Sequence, residues 1–198
     1  MTTKRRDEAD RGRSRLRWLV VALVGLTLAL AGASYAVAAG PPHLRTDGPT
    51  RATGTEATAV FRIGDRTVRQ VRYDDRGTLD YAFTITNGDR LPVRITGISP
   101  QQRPERLFRY RALTDDDGAR TFSIPAHGSK RVHLLLRMGG CESLSSRAGS
   151  FATSVMLSTS RARMFTSDVK VTLPEQLHTG SPREAFCPNS SASSRPPG

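Results

Sequence analysis

Residues Thr78–Ile98 read TLDYAFTITNGDRLPVRITGI, and their alternation decides the fold. Leu79, Tyr81, Phe83 and Ile85 fall on one side of an extended chain, with Asp80, Ala82, Thr84 and Thr86 on the other. Side chains alternate across a strand, so this pattern predicts a strand with one face in a core and one in water. Asn87-Gly88-Asp89 follows, and Asn-Gly accepts the positive φ that a tight hairpin requires. The expected return strand points Val93 and Ile95 inward and Arg94 and Thr96 outward. Gly97 then breaks the alternation, which predicts a bulge.

The same period recurs to either side. Upstream, Ala57–Ile63 places Ala59, Phe61 and Ile63 on one face, Gly64-Asp65 predicts a turn, and Thr67–Tyr73 a second strand. Asp74–Gly77 predicts another turn. Downstream, past a less regular stretch over 99–120, Arg120–Ile124 is a short strand and PAHGS (Pro125–Ser129) a turn. Arg131–Met138 follows with Val132, Leu134, Leu136 and Met138 inward. Phe151–Thr159 sets Phe151, Val155 and Leu157 against Ala152, Ser154 and Ser158. Met164–Leu173 sets Phe165, Val169, Val171 and Leu173 against Asp168, Lys170 and Thr172. No long amphipathic helix follows residue 40. Seven or eight short strands, each with one apolar face, imply an all-β body over 56–173: two antiparallel sheets packed face to face. The Gly-, Pro- and Thr-rich residues 40–55 read as a spacer, and 174–198 as a polar tail.

Two stretches, FTITNGDRLPVRITGI (Phe83–Ile98) and FSIPAHGSKRVHLLLR (Phe122–Arg137), resemble the bacterial immunoglobulin-like domains of the PapD and ASH type. The resemblance covers roughly 78–173. It implies an immunoglobulin-like antiparallel β-sandwich that binds, spaces or supports, and it brings no catalytic residues.

Near the N-terminus, Trp18–Ala39 (WLVVALVGLTLALAGASYAVAA) holds 22 residues without Lys, Arg, Asp or Glu. As a helix it would cover about 33 Å, enough to span a bilayer's hydrocarbon core. Residues 1–17 carry seven basic and three acidic side chains, which predicts that this flank stays in the cytoplasm. Trp18 and Tyr35 suit the two lipid–water interfaces. The expected arrangement is a single-pass anchor with the C-terminal domain outside the cell membrane. The competing reading is a secretory signal cleaved near Ala38, against which the length of the apolar run counts.

The whole chain has 198 residues and a formal charge of +12. An exported basic body meets anionic lipid headgroups or anionic envelope polymers rather than nucleic acid, and arginine grips phosphate bidentately. Arg106, Arg109 and Arg111 interleave with Phe108 and Tyr110, which makes them candidate anion contacts; the competing role is a charged edge strand that resists aggregation. Cys141 and Cys187 form an even pair in an oxidising compartment and predict a disulfide closing a loop of roughly 46 residues. Asp115-Asp116-Asp117-Gly118 resembles the start of a calcium loop, but the twelfth position is Ala126 rather than an acidic residue. His43, His127, His133 and His178 are scattered, and His133 and Met138 diverge across a strand, so no metal or cofactor is expected. No G-x-S-x-G elbow or phosphate-binding glycine loop is present. The expectation is a non-enzymatic binding or accessory protein of the cell envelope, whose partners are the membrane and an envelope protein or anionic polymer. The alternative is an envelope metal carrier or enzyme on the same scaffold.

Overall fold

The computed structural model describes residues 18, 20–33, 40–73, 76–100, 108–139, 150–161 and 165–179. They belong to two compact units, 1–40 and 41–198. In the first, residues 20–33 are helical, and eight large apolar side chains from Trp18 to Leu30 are each at least 51% exposed. Among the described residues no helix is long and apolar enough to cross a membrane. The described run covers about 21 Å, and the rest of the expected 18–39 span, residues 19 and 34–39, lies outside the described residues.

The second unit is a β-sandwich. Its strands are β1 (Leu44–Thr53), β2 (Thr55–Ile63), β3 (Arg66–Tyr73), β4 (Thr78–Asn87), β5 (Val93–Ile98), β6 (Phe108–Asp115), β7 (Phe122–Ile124), β8 (Ser129–Met138), β9 (Ser150–Arg161) and β10 (Phe165–Thr179). One sheet has the order β1-β4-β8-β6, the other β2-β3-β10-β9-β5-β7. Pairing is antiparallel except where β10 runs alongside β3, Gln176 opposite Val68 to Thr179 opposite Val71.

The alternating faces meet between the sheets. Leu79, Tyr81, Phe83 and Ile85 of β4 are at most 1% exposed, as are Val132, Leu134 and Leu136 of β8. Opposite them stand Val93 and Ile95 of β5, Val155 and Leu157 of β9, and Val171 of β10. Burying each large side chain stabilises the fold by about 2 kcal/mol, so this register is strongly specified. Gly97 sits at φ 150°, where the ladder to β9 slips between Ile95 and Gly97; the bulge is present.

Five local expectations are corrected. Asn87-Gly88 is not a hairpin turn, because β4 and β5 belong to different sheets. Asn87 is fully buried. Its Nδ2 donates to the carbonyls of Leu91 (2.9 Å) and Pro125 (3.0 Å), and its Oδ1 accepts from the Asp89 N–H at 3.1 Å. The asparagine therefore ties two crossing loops together by its side chain. The 40–55 spacer is largely β1, which pairs with β4 from Leu44↔Asn87 to Thr53↔Asp80. It escapes an apolar-pattern reading because only Leu44 and Ala52 reach the core. Gly54 then turns the chain from one sheet to the other at φ 74°, where a Cβ would stand 2.2 Å from the Thr78 carbonyl oxygen. The strand expected to end at Leu173 continues to Thr179; Pro174 lacks an N–H, and the ladder to β9 slips between Thr172 and Leu177 before resuming. Ala152, assigned to the outer side, is buried beyond that slip. Lastly, Phe61 and Ile63 of β2 do not point into a core: they are 40% and 60% exposed.

Candidate functional site

β6 is an edge of the four-stranded sheet, and the arginines singled out in the sequence lie along it. Phe108 is buried and Tyr110 half-buried on the inner side, their rings edge to face at 5.4 Å. The Tyr110 hydroxyl donates to the Ser154 carbonyl at 2.9 Å, tying this edge to β9 of the opposite sheet. Arg109 and Arg111 are exposed. The register places Arg109 directly opposite Arg137 of β8, and the ladder slips between Tyr110 and Ala112, leaving Arg111 in the bulge. Arg106 lies outside the described residues.

Arg137 went unnoticed in the sequence because it lies 28 positions from Arg109, and only strand register brings the two together. The signal was available in part: Arg137 falls on the polar side of the clearest strand after β4. Like charges directly opposite on one face destabilise a sheet. Among the described residues, Arg109, Arg111 and Arg137 form no ion pair. Asp80, two residues along β4 from Arg137's register partner Thr78, is engaged by His133 instead. The Nδ1 of His133 lies 2.9 Å from Asp80 and its Nε2 3.1 Å from Asp116. The arrangement is three exposed guanidinium groups without a counter-anion among the described residues, able to take phosphate or carboxylate oxygens bidentately.

The other polar groups hold structure. Asp115 accepts from the Asp117 and Ala119 N–H groups at 3.2 and 2.9 Å and pairs with Lys130 at 2.8 Å. The hydrogen bond from Lys130 holds its carboxyl below the usual range, and the same bond raises the lysine. The acidic run is thus a capped turn whose first carboxylate is already occupied. Asp89 joins His43, at 2.9 Å, and Arg161; burial pushes its carboxyl up, but hydrogen bonds from His43 and the Arg161 charge outweigh that and lower it. Between the sheets, Arg69 of β3 donates to Glu175 of β10 at 2.6 Å through Nε and to Thr50 of β1 at 2.9 Å. The Tyr81 hydroxyl donates to Glu175 at 3.3 Å; burial raises its pKa well above the ordinary value, with the Glu175 charge adding to it. This cluster staples four strands.

His133 stands on the outer face while Met138 is 2% exposed in the core, so the two diverge as expected. Among the described residues no group of three His, Cys, Asp or Glu side chains could hold a metal ion. Cys141 and Cys187 lie outside the described residues.

No family model and no curated protein matches this chain. Among solved structures it is similar to the cupredoxin domain of amoB from Nitrosocaldus yellowstonii, at 12% identity and a TM-score of 0.26, over 53% of this chain and 60% of that one.

Proposed function

We propose that this protein is a single-pass, membrane-anchored module of the cell envelope whose extracytoplasmic β-sandwich binds phosphate-bearing anions without catalysing a reaction. One observation carries the reading. Arg109 and Arg137 face each other across a ladder with no acidic partner among the described residues, a placement that costs stability unless an external anion offsets it. The exposed apolar side chains of the N-terminal helix and the basic segment before it support a lipid-held N-terminus, cytoplasmic on its basic side. The PapD- and ASH-like cadence belongs to the same reading, as a sandwich used for binding or support.

The test measures binding of the full chain to vesicles containing phosphatidylglycerol, to neutral phosphatidylcholine vesicles, and to soluble polyphosphate. The variant is Arg109→Gln/Arg111→Gln/Arg137→Gln. Loss of three arginines near an anionic surface weakens binding on the order of a hundredfold, and the gap narrows with salt. Preference between vesicle and polyphosphate distinguishes headgroup from polymer. Unchanged affinity overturns the contact. Failure of labelled polyphosphate to reach the patch on intact cells overturns the orientation.

A further inference from the structure

The arginines at β6 stand at one end of the outer face of the four-stranded sheet, and more arginines stand at the other end. Residues directly opposite across a ladder share a face, so register carries that face from strand to strand. Arg137 lies opposite Thr78 and Arg131 opposite Thr84. Arg51 lies opposite Ala82, and Arg45 opposite Thr86. These β4 residues alternate with the buried Leu79, Tyr81, Phe83 and Ile85, so all four arginines are on the side away from the core. Arg45 and Arg51 are exposed. Arg131 is half-buried, and its Nη1 donates to the Pro49 carbonyl at 3.1 Å. Among the described residues Arg45, Arg51 and Arg131 form no ion pair. Asp47, in one row with Arg131 through Thr84, accepts the Gly48 N–H at 2.7 Å.

The face thus holds two arginine groups: Arg109, Arg111 and Arg137 at one end, Arg45, Arg51 and Arg131 at the other. Arg131 and Arg137 are six residues apart on β8, about 20 Å of strand. Along β8, His133 lies between them and joins Asp80 at 2.9 Å to Asp116 at 3.1 Å. Both carboxylates stay open to solvent, their side chains 33% and 59% exposed. That order of charge, basic, acidic, basic, selects the occupant. A flat anionic bilayer laid on this face would press its headgroups against both carboxylates, where like charge repels. One phosphate group cannot reach from one arginine group to the other. A chain can be gripped at both ends and pass over the middle. We propose that this face takes a linear polyanion, a polymer of repeated phosphate groups, held at both ends of the sheet. The proposal rests on the anion contact of Arg109 and Arg137 and goes beyond it by naming the form of the ligand. Two grips on one chain make the second contact intramolecular, so affinity rises once the chain is long enough to span them.

The experiment holds the full chain in phosphatidylcholine nanodiscs and measures binding of three probes. They are triphosphate, too short to span the two groups, long-chain polyphosphate at equal phosphate concentration, and phosphatidylglycerol vesicles. Long-chain polyphosphate is expected to bind on the order of a hundredfold more tightly than triphosphate. Arg45→Gln/Arg51→Gln removes that gain and leaves triphosphate bound at the Arg109–Arg137 end. Arg45→Lys/Arg51→Lys keeps most of the gain, which separates lost charge from a folding defect. Arg62→Gln/Arg66→Gln removes the same charge from exposed positions of the other sheet and keeps the gain as well. Equal affinity for the short and long phosphates, or an equal loss in the Arg62/Arg66 variant, overturns the polymer inference and leaves the anion contact standing. If neither phosphate binds, the anion contact fails and the inference fails with it. Vesicles bound more tightly than long-chain polyphosphate, and weakened by Arg45→Gln/Arg51→Gln, also overturn the inference, since they assign the face to a membrane surface.

Discussion

Two edges of this sandwich, β2 and β6, meet the same hazard with opposite chemistry. Among the described residues both lie at the edge of a sheet, with no strand paired on one side. β6 turns its aromatic residues inward and two arginines out, beside a third from β8, so like charges gather on that edge. β2 instead exposes aromatic and aliphatic side chains, Val60, Phe61 and Ile63. One fold thus carries a charged edge and an apolar one, and a few outward-facing residues on each strand set the difference.

The largest expected effect comes from loosening what holds the β2 side to the body. β3, the strand beside β2, is fixed by the buried Arg69–Glu175 pair, whose side chains are 11% and 10% exposed. Glu175→Ala leaves a guanidinium buried without its partner and is expected to cost about 3–5 kcal/mol in denaturant unfolding. Replacing both partners with apolar residues, Arg69→Met/Glu175→Leu, is expected to recover most of that loss. A loss under about 1 kcal/mol for Glu175→Ala would show that the staple does not hold the two sheets together.

That staple also marks how far the sequence could be read. The central strands were legible because Leu79–Ile85 and Val132–Met138 are half-buried with strict alternation, and burial makes register unambiguous. β1 was not legible: ladder bonds hold it more than side chains, and a Gly-Pro-Thr composition looks like linker. Nor was the end of β10, where Pro174 interrupts the pattern and Glu175 enters the core as a charge. The Asn87-Gly88 dipeptide was legible as a turn but not as a crossing between sheets, because sequence records local chemistry and not the sheet a strand joins. Phe61 and Ile63 followed the inward pattern and lie outside, because alternation marks which residues share a face and not whether that face is covered. At the candidate site, Arg109 and Arg111 could be found from their spacing with aromatics, whereas Arg137 needed the register.

A smaller effect tests the β6 edge without any ligand. Arg109→Thr removes one member of the opposed like-charge pair and substitutes a good strand former, so it is expected to stabilise the isolated protein by about 0.5 kcal/mol. The electrostatic part of the gain is expected to vanish near 1 M salt, where screening acts over about 3 Å, leaving only the strand-propensity part. A loss of stability at low salt would show that Arg109 makes a favourable contact, and the external anion would no longer be needed to account for it.

Acid separates the two sides more gently. His178 of β10, in register with Gln70 of β3, is 7% exposed, and burial lowers its pKa below the ordinary 6.5. The unfolded chain thus takes up a proton that the folded one resists, so this contribution is full above about pH 6.5 and is lost as pH falls toward the folded value. On the β6 side, Asp115 is held below its ordinary 3.8 by the hydrogen bond from Lys130. Its contribution is present above that value and disappears only as pH falls through the lowered one. Mild acid is therefore expected to loosen β3 and β10 first, and the β6–β8 side only in stronger acid. Hydrogen exchange resolved by strand checks the order: between about pH 7 and 5, amides of β3 and β10 lose protection in the parent chain and keep it in His178→Gln, once intrinsic exchange rates are corrected. Simultaneous loosening of both sides would mean that the sandwich opens as one unit and that His178 does not set the acid response of the β2 edge.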